Sequence, residues 1–78
     1  MAVLRLFASA REAAGTGRDH IEGDSVGAVL EGARRRYGTE FASVLEGCRI
    51  WRNGAPTTPA EAVGVDDEVA VLPPVSGG

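Results

Sequence analysis

Apolar and polar positions alternate with a period of two through AVLRLFA, residues 2–8. Ala2, Leu4, Leu6 and Ala8 fall on one face and Val3, Arg5 and Phe7 on the other, which predicts a strand. SAREAAG follows. Ser9 and Glu12 have capping-box spacing and Gly15 can close the segment, so one short helical turn is expected. GRDHIEGD is more polar and predicts a second strand at a sheet edge. Through DSVGAVLEGARRRYG the period changes: Val26, Val29, Leu30, Ala33 and Tyr37 share one helical face. Ser25 or Asp24 can cap this main helix and Gly38 suits the position after its end. Arg34, Arg35 and Arg36 sit in its last turns, where cations suit the helix dipole. Gly27 and Gly32 each cost the helix about 1 kcal/mol relative to alanine, so packing against a sheet must hold it. TEFASVLEG predicts a further short turn with Phe41, Val44 and Leu45 as its apolar side. CRIWRNG predicts a strand ending at an Asn-Gly turn. APTTPAEAVGVDD, with Pro56 and Pro59, reads as mostly irregular with room for a minimal fourth strand, and DEVAVL is the last strand.

Two strands, a helix, a strand, a short segment and a final strand describe an α+β domain, one long helix laid across a small mixed sheet. The first and last strands are the most apolar. They are expected side by side in the middle of the sheet, and therefore parallel. If Leu4 and Leu6, Val69 and Val71, and Cys48 and Ile50 face the helix, then Phe7, Leu72 and Trp51 face the other way.

Size and charge narrow the functional classes. A chain of 78 residues with 44% apolar content is one domain near the lower limit for a self-sufficient core. The formal net charge is −3, from eleven acids against eight arginines, and there is no lysine. That balance offers no general attraction for nucleic acid or an anionic membrane, and the chain has no lysine amine for isopeptide attachment. No apolar run approaches the roughly 20 residues that span a bilayer, and MAVLRLFASAR lacks a signal-peptide layout. The one cysteine, Cys48, cannot form an internal disulfide, so a reducing cytoplasm is the expected location.

Few side chains suggest chemistry. Cys48 reads as a small buried apolar residue at a strand start rather than a reactive thiol. His20 has no second ligand at metal spacing, so no metal site is expected. Arg34–Arg36 could meet a phosphate, but a helix end with nearby acids accounts for them. Arg11, near the end of the first strand, could pair with a partner's acid or be a plain surface arginine. Ser9, Ser25, Ser43 and Ser76 have no His/Asp constellation, so hydrolase chemistry has no support. The ending LPPVSGG is different. Proline lacks the N–H a sheet ladder needs and fixes φ near −65°, so Pro73-Pro74 should end the last strand. Residues 1–72 then form the domain and residues 73–78 an extended tail reaching roughly 20 Å.

An acidic turn, an apolar strand, Pro-Pro and a final Gly-Gly, in VGVDDEVAVLPPVSGG, together with LRLFASAREAAG, SVGAVLEGARRRYG and RNG, resemble the MoaD/ThiS family of ubiquitin-like β-grasp sulfur carriers over nearly the whole chain. Within that family the likeness is greatest to small subunits of molybdopterin synthase. Trp51 and Arg52 stand where the family more often has small or aliphatic residues. The resemblance implies a sheet in which the first strand lies beside the last and the third strand lies on the last strand's other side. Phe7, Leu72 and Trp51 would then line up beside the tail's root as a docking surface. The resemblance also implies that Gly78 carries sulfur as a C-terminal thiocarboxylate, that Gly77 lets the tail thread a narrow channel, and that Pro73, Pro74, Val75 and Ser76 dock. The carrier would hold no catalytic side chain and bind no cofactor of its own. ATP would be used by a ubiquitin-activating-type adenylating enzyme, and a sulfur donor protein would follow it. A large synthase subunit would take the sulfur to the cyclic pyranopterin precursor of molybdopterin, in an assembly of two large and two small subunits. Carriers for thiamine thiazole or cysteine synthesis, and a ubiquitin-like protein modifier, are the alternatives.

Overall fold

In the computed structural model residues 1–74 are described. The course expected for the tail from Val75 to Gly78 lies outside the described residues. Strand β1 (Ala2–Leu6) buries Ala2, Leu4 and Leu6. It pairs parallel with β5 (Glu68–Leu72), setting Leu4 opposite Val69 and Leu6 opposite Val71. On its other side β1 pairs antiparallel with β2 (Arg18–Ile21). Strand β3 (Arg49–Arg52) pairs antiparallel with β5 and with the two-residue β4 (Ala55–Pro56), giving the order β2-β1-β5-β3-β4. The two most apolar strands are central and parallel, and the polar β2 is at an edge. Asn53 and Gly54 both have positive φ, 51° and 84°, the condition for a two-residue type I′ hairpin. The Asn53 side chain then donates to Asp67 and accepts from the Glu68 N–H, tying the hairpin to the start of β5.

Three helices cover one face of this sheet: α1 (Ala8–Ala14), α2 (Val26–Tyr37) and α3 (Thr39–Leu45). Ser25 caps α2, its hydroxyl accepting from the Ala28 N–H at 3.1 Å. Val26, Val29, Leu30 and Ala33 are buried and Tyr37 is half-buried. Phe41 and Leu45 of α3 complete the core, and Phe41 meets Tyr37 edge to face with ring centroids 5.1 Å apart. The two helix glycines have a packing reason. A Cβ at Gly32 would stand 2.7 Å from Ile21 Cγ2, and one at Gly27 would stand 3.1 Å from the Pro59 carbonyl oxygen. Ile21 is buried and β-branched, so it has little room to yield. Gly32→Ala is therefore expected to lower stability by about 1 kcal/mol, despite the gain of similar size that helix propensity alone offers. Urea unfolding of the variant measures the sign directly.

The start of α1 differs from expectation. The strand stops at Leu6, and Ala8 is exposed rather than on the buried face. Phe7 is the N-cap and no side chain caps the helix, so Ser9 and Glu12 form no capping box. The chain leaves the ladder two residues early: the Phe7 N–H still donates to Val71, while the Phe7 carbonyl already accepts from Ala10 and Arg11. Ala8 makes the turn at φ 49°, and Ser9 is thereby carried inside the helix. Gly15, at φ 79°, closes it as anticipated.

Asp19 of β2 links the sheet edge to the end of α2. Its Oδ2 accepts from the Tyr37 hydroxyl at 2.5 Å and from Arg36 at 2.9 Å. The Tyr37 hydrogen bond, with Arg36 reinforcing it, holds the Asp19 carboxyl down at about 2 from an ordinary 3.8, against an opposing push from partial burial. Burial and the adjacent carboxylate push the Tyr37 phenol up. A depressed carboxyl stabilises the fold at pH values above its unfolded-state pKa, and that stability is lost as pH falls through the folded value. Because both Asp19 and Arg36 retain solvent contact, screening leaves about 1 kcal/mol. Asp19→Asn is expected to lose that amount at pH 7, with wild-type and variant stabilities converging between pH 4 and pH 2, in parallel denaturant titrations.

Candidate docking surface at the root of the tail

The face of the sheet away from the helices carries no covering element among the described residues. Alternation places Val3 and Arg5 of β1, Glu68, Ala70 and Leu72 of β5, and Arg49 and Trp51 of β3 on it. Phe7, just past β1, is 38% exposed, which is high for a phenylalanine on a sheet flank. The Arg5 guanidinium stands 5.5 Å from the Phe7 ring centroid and 3.5 Å from a Glu68 carboxylate oxygen. Leu72 and Trp51 are half-buried.

The register corrects one expected detail. Leu72 lies opposite Arg49, and Trp51 lies opposite Ala70. Trp51 is thus diagonal to Leu72, and Phe7, Leu72 and Trp51 form a bent patch instead of one row. The reason is the antiparallel offset of β3, which brings Arg49 level with the last residue of β5. In the angle of the bend is a depression of about 370 Å³ lined by Arg49, Trp51, Leu72, Pro73 and Pro74. Small Ala70 beside Trp51 leaves the indole open to it. Pattern reasoning passed over Arg49, although its spacing of two from Trp51 was the signal that both share a face.

The remaining candidates fall elsewhere. Arg11 is exposed on α1, its side chain folded over Gly17, and does not line the depression. His20 is exposed on β2. Cys48 is half-buried against the core, its thiol donating to the Val44 carbonyl at 3.2 Å, and burial pushes its pKa up, away from a reactive thiolate. Arg52 turns to the helix side, where it pairs with Glu61 at 3.1 Å; Thr57 donates to the same carboxylate and is the main cause of its lowered pKa. Val75, Ser76, Gly77 and Gly78 lie outside the described residues. Among the described residues, the depression is lined by apolar groups and one cation, with no thiol, imidazole or carboxylate. Such a surface can seat a partner but cannot perform acid–base or nucleophilic chemistry itself. Among the described residues, no helix is long and apolar enough to cross a membrane.

Known proteins agree with this architecture. Small archaeal modifier protein 1 from Haloferax volcanii superposes with a TM-score of 0.82 at 31% identity, over 99% of this chain and 98% of that one. A candidate molybdopterin converting factor subunit 1 from Pyrococcus furiosus gives 0.81 at 28% identity, over 95% and 97%. CysO from Mycobacterium tuberculosis gives 0.80 at 19% identity, over 96% and 100%, which speaks for the fold alone. No curated protein matches the sequence. The ThiS family matches residues 4–78, a span that includes the closing glycines. This chain belongs to the ThiS family and has its ubiquitin-like β-grasp fold.

Proposed function

We propose that this chain is a sulfur carrier, the small subunit of a molybdopterin synthase, with the main-chain carboxyl of Gly78 as its working group. The observation that carries the reading is the family match extending through Gly77 and Gly78. It is supported by an open, apolar depression where β5 runs out into Pro73 and Pro74.

A terminal carboxylate has a pKa of about 3.5, so near neutral pH it is an anion and a poor electrophile. An adenylating partner using ATP joins AMP to it and releases pyrophosphate. A persulfide on a sulfur donor then attacks the acyl carbon through its outer sulfur and AMP leaves; a second thiol cleaves the resulting acyl disulfide, leaving a thiocarboxylate on Gly78 and a disulfide between that thiol and the donor. In the synthase the thiocarboxylate sulfur adds to an oxygen-bearing carbon of the cyclic precursor, that oxygen leaves as water, and hydrolysis of the resulting thioester leaves the sulfur on the precursor and returns the carboxylate. Glycine at both final positions removes the Cβ that would crowd the carbonyl and opens φ values closed to other residues. The body of the domain supplies grip: Phe7, Trp51, Leu72, Pro73 and Pro74 are the proposed contacts, with Arg49 at their rim. The large subunit supplies the pocket and the acid–base groups. Work of this kind places the protein in the cytoplasm, beside the ATP-using partner.

Mass spectrometry of protein purified from its native host tests the reading. A fraction carrying sulfur in place of one terminal oxygen, and losing it on mild hydrolysis, supports it. Conversion of cyclic pyranopterin precursor to molybdopterin by the thiocarboxylated chain plus a large subunit separates it from thiazole and cysteine carriers. A second reading has one observation in its favour, the 31% identity to an archaeal modifier protein. The same adenylate attacked by a lysine amine gives an isopeptide and AMP. Conjugates ending in the Gly78 carbonyl on lysines of other proteins distinguish that use.

A further inference from the structure

Among the described residues strand β2 has only one neighbouring strand, so half of its backbone groups point away from the sheet. Such an edge is a template for another strand. The Leu6 N–H donates to the Gly17 carbonyl at 3.0 Å. By antiparallel alternation the backbone groups of Asp19 and Ile21 face β1, and those of Arg18 and His20 face outward. All four outward groups are occupied by side chains. The Thr16 hydroxyl donates to the Arg18 carbonyl at 2.9 Å and accepts from the Arg18 N–H at 3.3 Å. Asp19 Oδ1 accepts from the His20 N–H at 2.8 Å. Arg36 Nη1, reaching down from α2, donates to the His20 carbonyl at 3.1 Å while also holding Asp19.

Arg18 and His20 are both exposed, so the edge is open to solvent. The opposite edge is blunted differently: β4 has two residues, and one of them is Pro56. Two-fold pairing of β2 with a copy of itself would set Arg18 opposite His20 and also Asp19 opposite Asp19, adding like-charge repulsion. We propose that Thr16, Asp19 and Arg36 are an edge guard that keeps a second copy of this chain from adding its β2 to this strand. With both edges closed, partners are left the uncovered sheet face.

Wild-type protein gives the first test, by amide hydrogen exchange. The Arg18 and His20 amides face away from β1, yet are expected to exchange at least about tenfold slower than an unfolded chain. Unprotected amides at both positions would overturn the guard whatever any variant does. The second test is the double variant Thr16→Val/Arg36→Met, which frees three of the four groups and leaves Asp19 in place. Its self-association, by sedimentation velocity, is expected to tighten at least about tenfold over wild type. Its Arg18 amide should be fast-exchanging when dilute and protected when concentrated. Thr16→Ser/Arg36→Lys retains a hydroxyl and a donor and should behave as wild type. Association of the first variant within twofold of wild type, or dimers without concentration-dependent protection at Arg18, refutes the proposal.

Discussion

Deleting Gly77 and Gly78 is expected to reduce sulfur transfer by more than about a thousandfold, because the acyl group that would be activated is then no longer presented. The same loss is expected when one alanine is added after Gly78. The new terminus carries a Cβ beside its carbonyl and, on the proposed reading, would overshoot a partner channel that fits the native end. Among the described residues β5 ends at Leu72, and every member of the buried core precedes Pro73. Thermal unfolding should therefore match wild type within a degree or two, and binding to a large subunit should persist. Activity lost with fold and binding intact is the signature of a reacting backbone group. A plain interaction domain would be indifferent to both changes. Retained transfer by the truncated chain, in an assay with activating enzyme, sulfur donor and large subunit, would end the sulfur-carrier reading.

How much of this molecule could be read from its amino acids varied with the range of the interaction. Period-two alternation in β1 and β5 and the 3.6 period of α2 report which faces are buried, and burial is the largest energy in a small domain. Placing the two most apolar strands together followed from the same energy, and the parallel pairing of Leu4 with Val69 shows it. Local turn chemistry was also legible where one backbone geometry is demanded, as at Asn53-Gly54 and Gly15. It failed at Ser9, where spacing alone said nothing about whether the chain would still be in the strand two residues earlier.

Long-range polar contacts were not legible. The arginine run at the end of α2 looked like a generic complement to the helix dipole. In the structure Arg34 pairs with Glu31 one turn away, while Arg36 crosses to Asp19 and the His20 carbonyl. No periodic signal links positions 17 residues apart on different elements. The glycines of α2 were similar. Their cost was visible, but their reason, the contact with Ile21 and Pro59, is a property of the assembled fold. For the docking face the alternation named Phe7, Leu72 and Trp51, and only the register of β3 revealed that Arg49, not Trp51, stands level with Leu72.

On the proposed docking face Trp51 is the central apolar anchor, and Trp51→Ala is expected to weaken partner binding at least about thirtyfold, or 2 kcal/mol. The indole is half-buried on the uncovered face, flanked by Ala70 on β5 and Pro56 on β4. It packs outside the core cluster, so truncation should change folding stability by less than about 1 kcal/mol. An anchor that is already partly held loses little side-chain entropy on docking, while its open flank beside the depression still has apolar area to cover. Arg49 contributes differently. It is exposed at the rim, so Arg49→Glu should slow association and reverse its salt dependence without lengthening or shortening the bound lifetime much. Calorimetry and stopped-flow binding to the activating enzyme and to the large subunit separate these two behaviours. If both partners use this face, they compete for it, and the Trp51 defect appears with each. A variant that folds normally and binds both with wild-type affinity would move the docking site off this face, leaving the Gly78 chemistry untouched and the grip of the domain to be sought elsewhere.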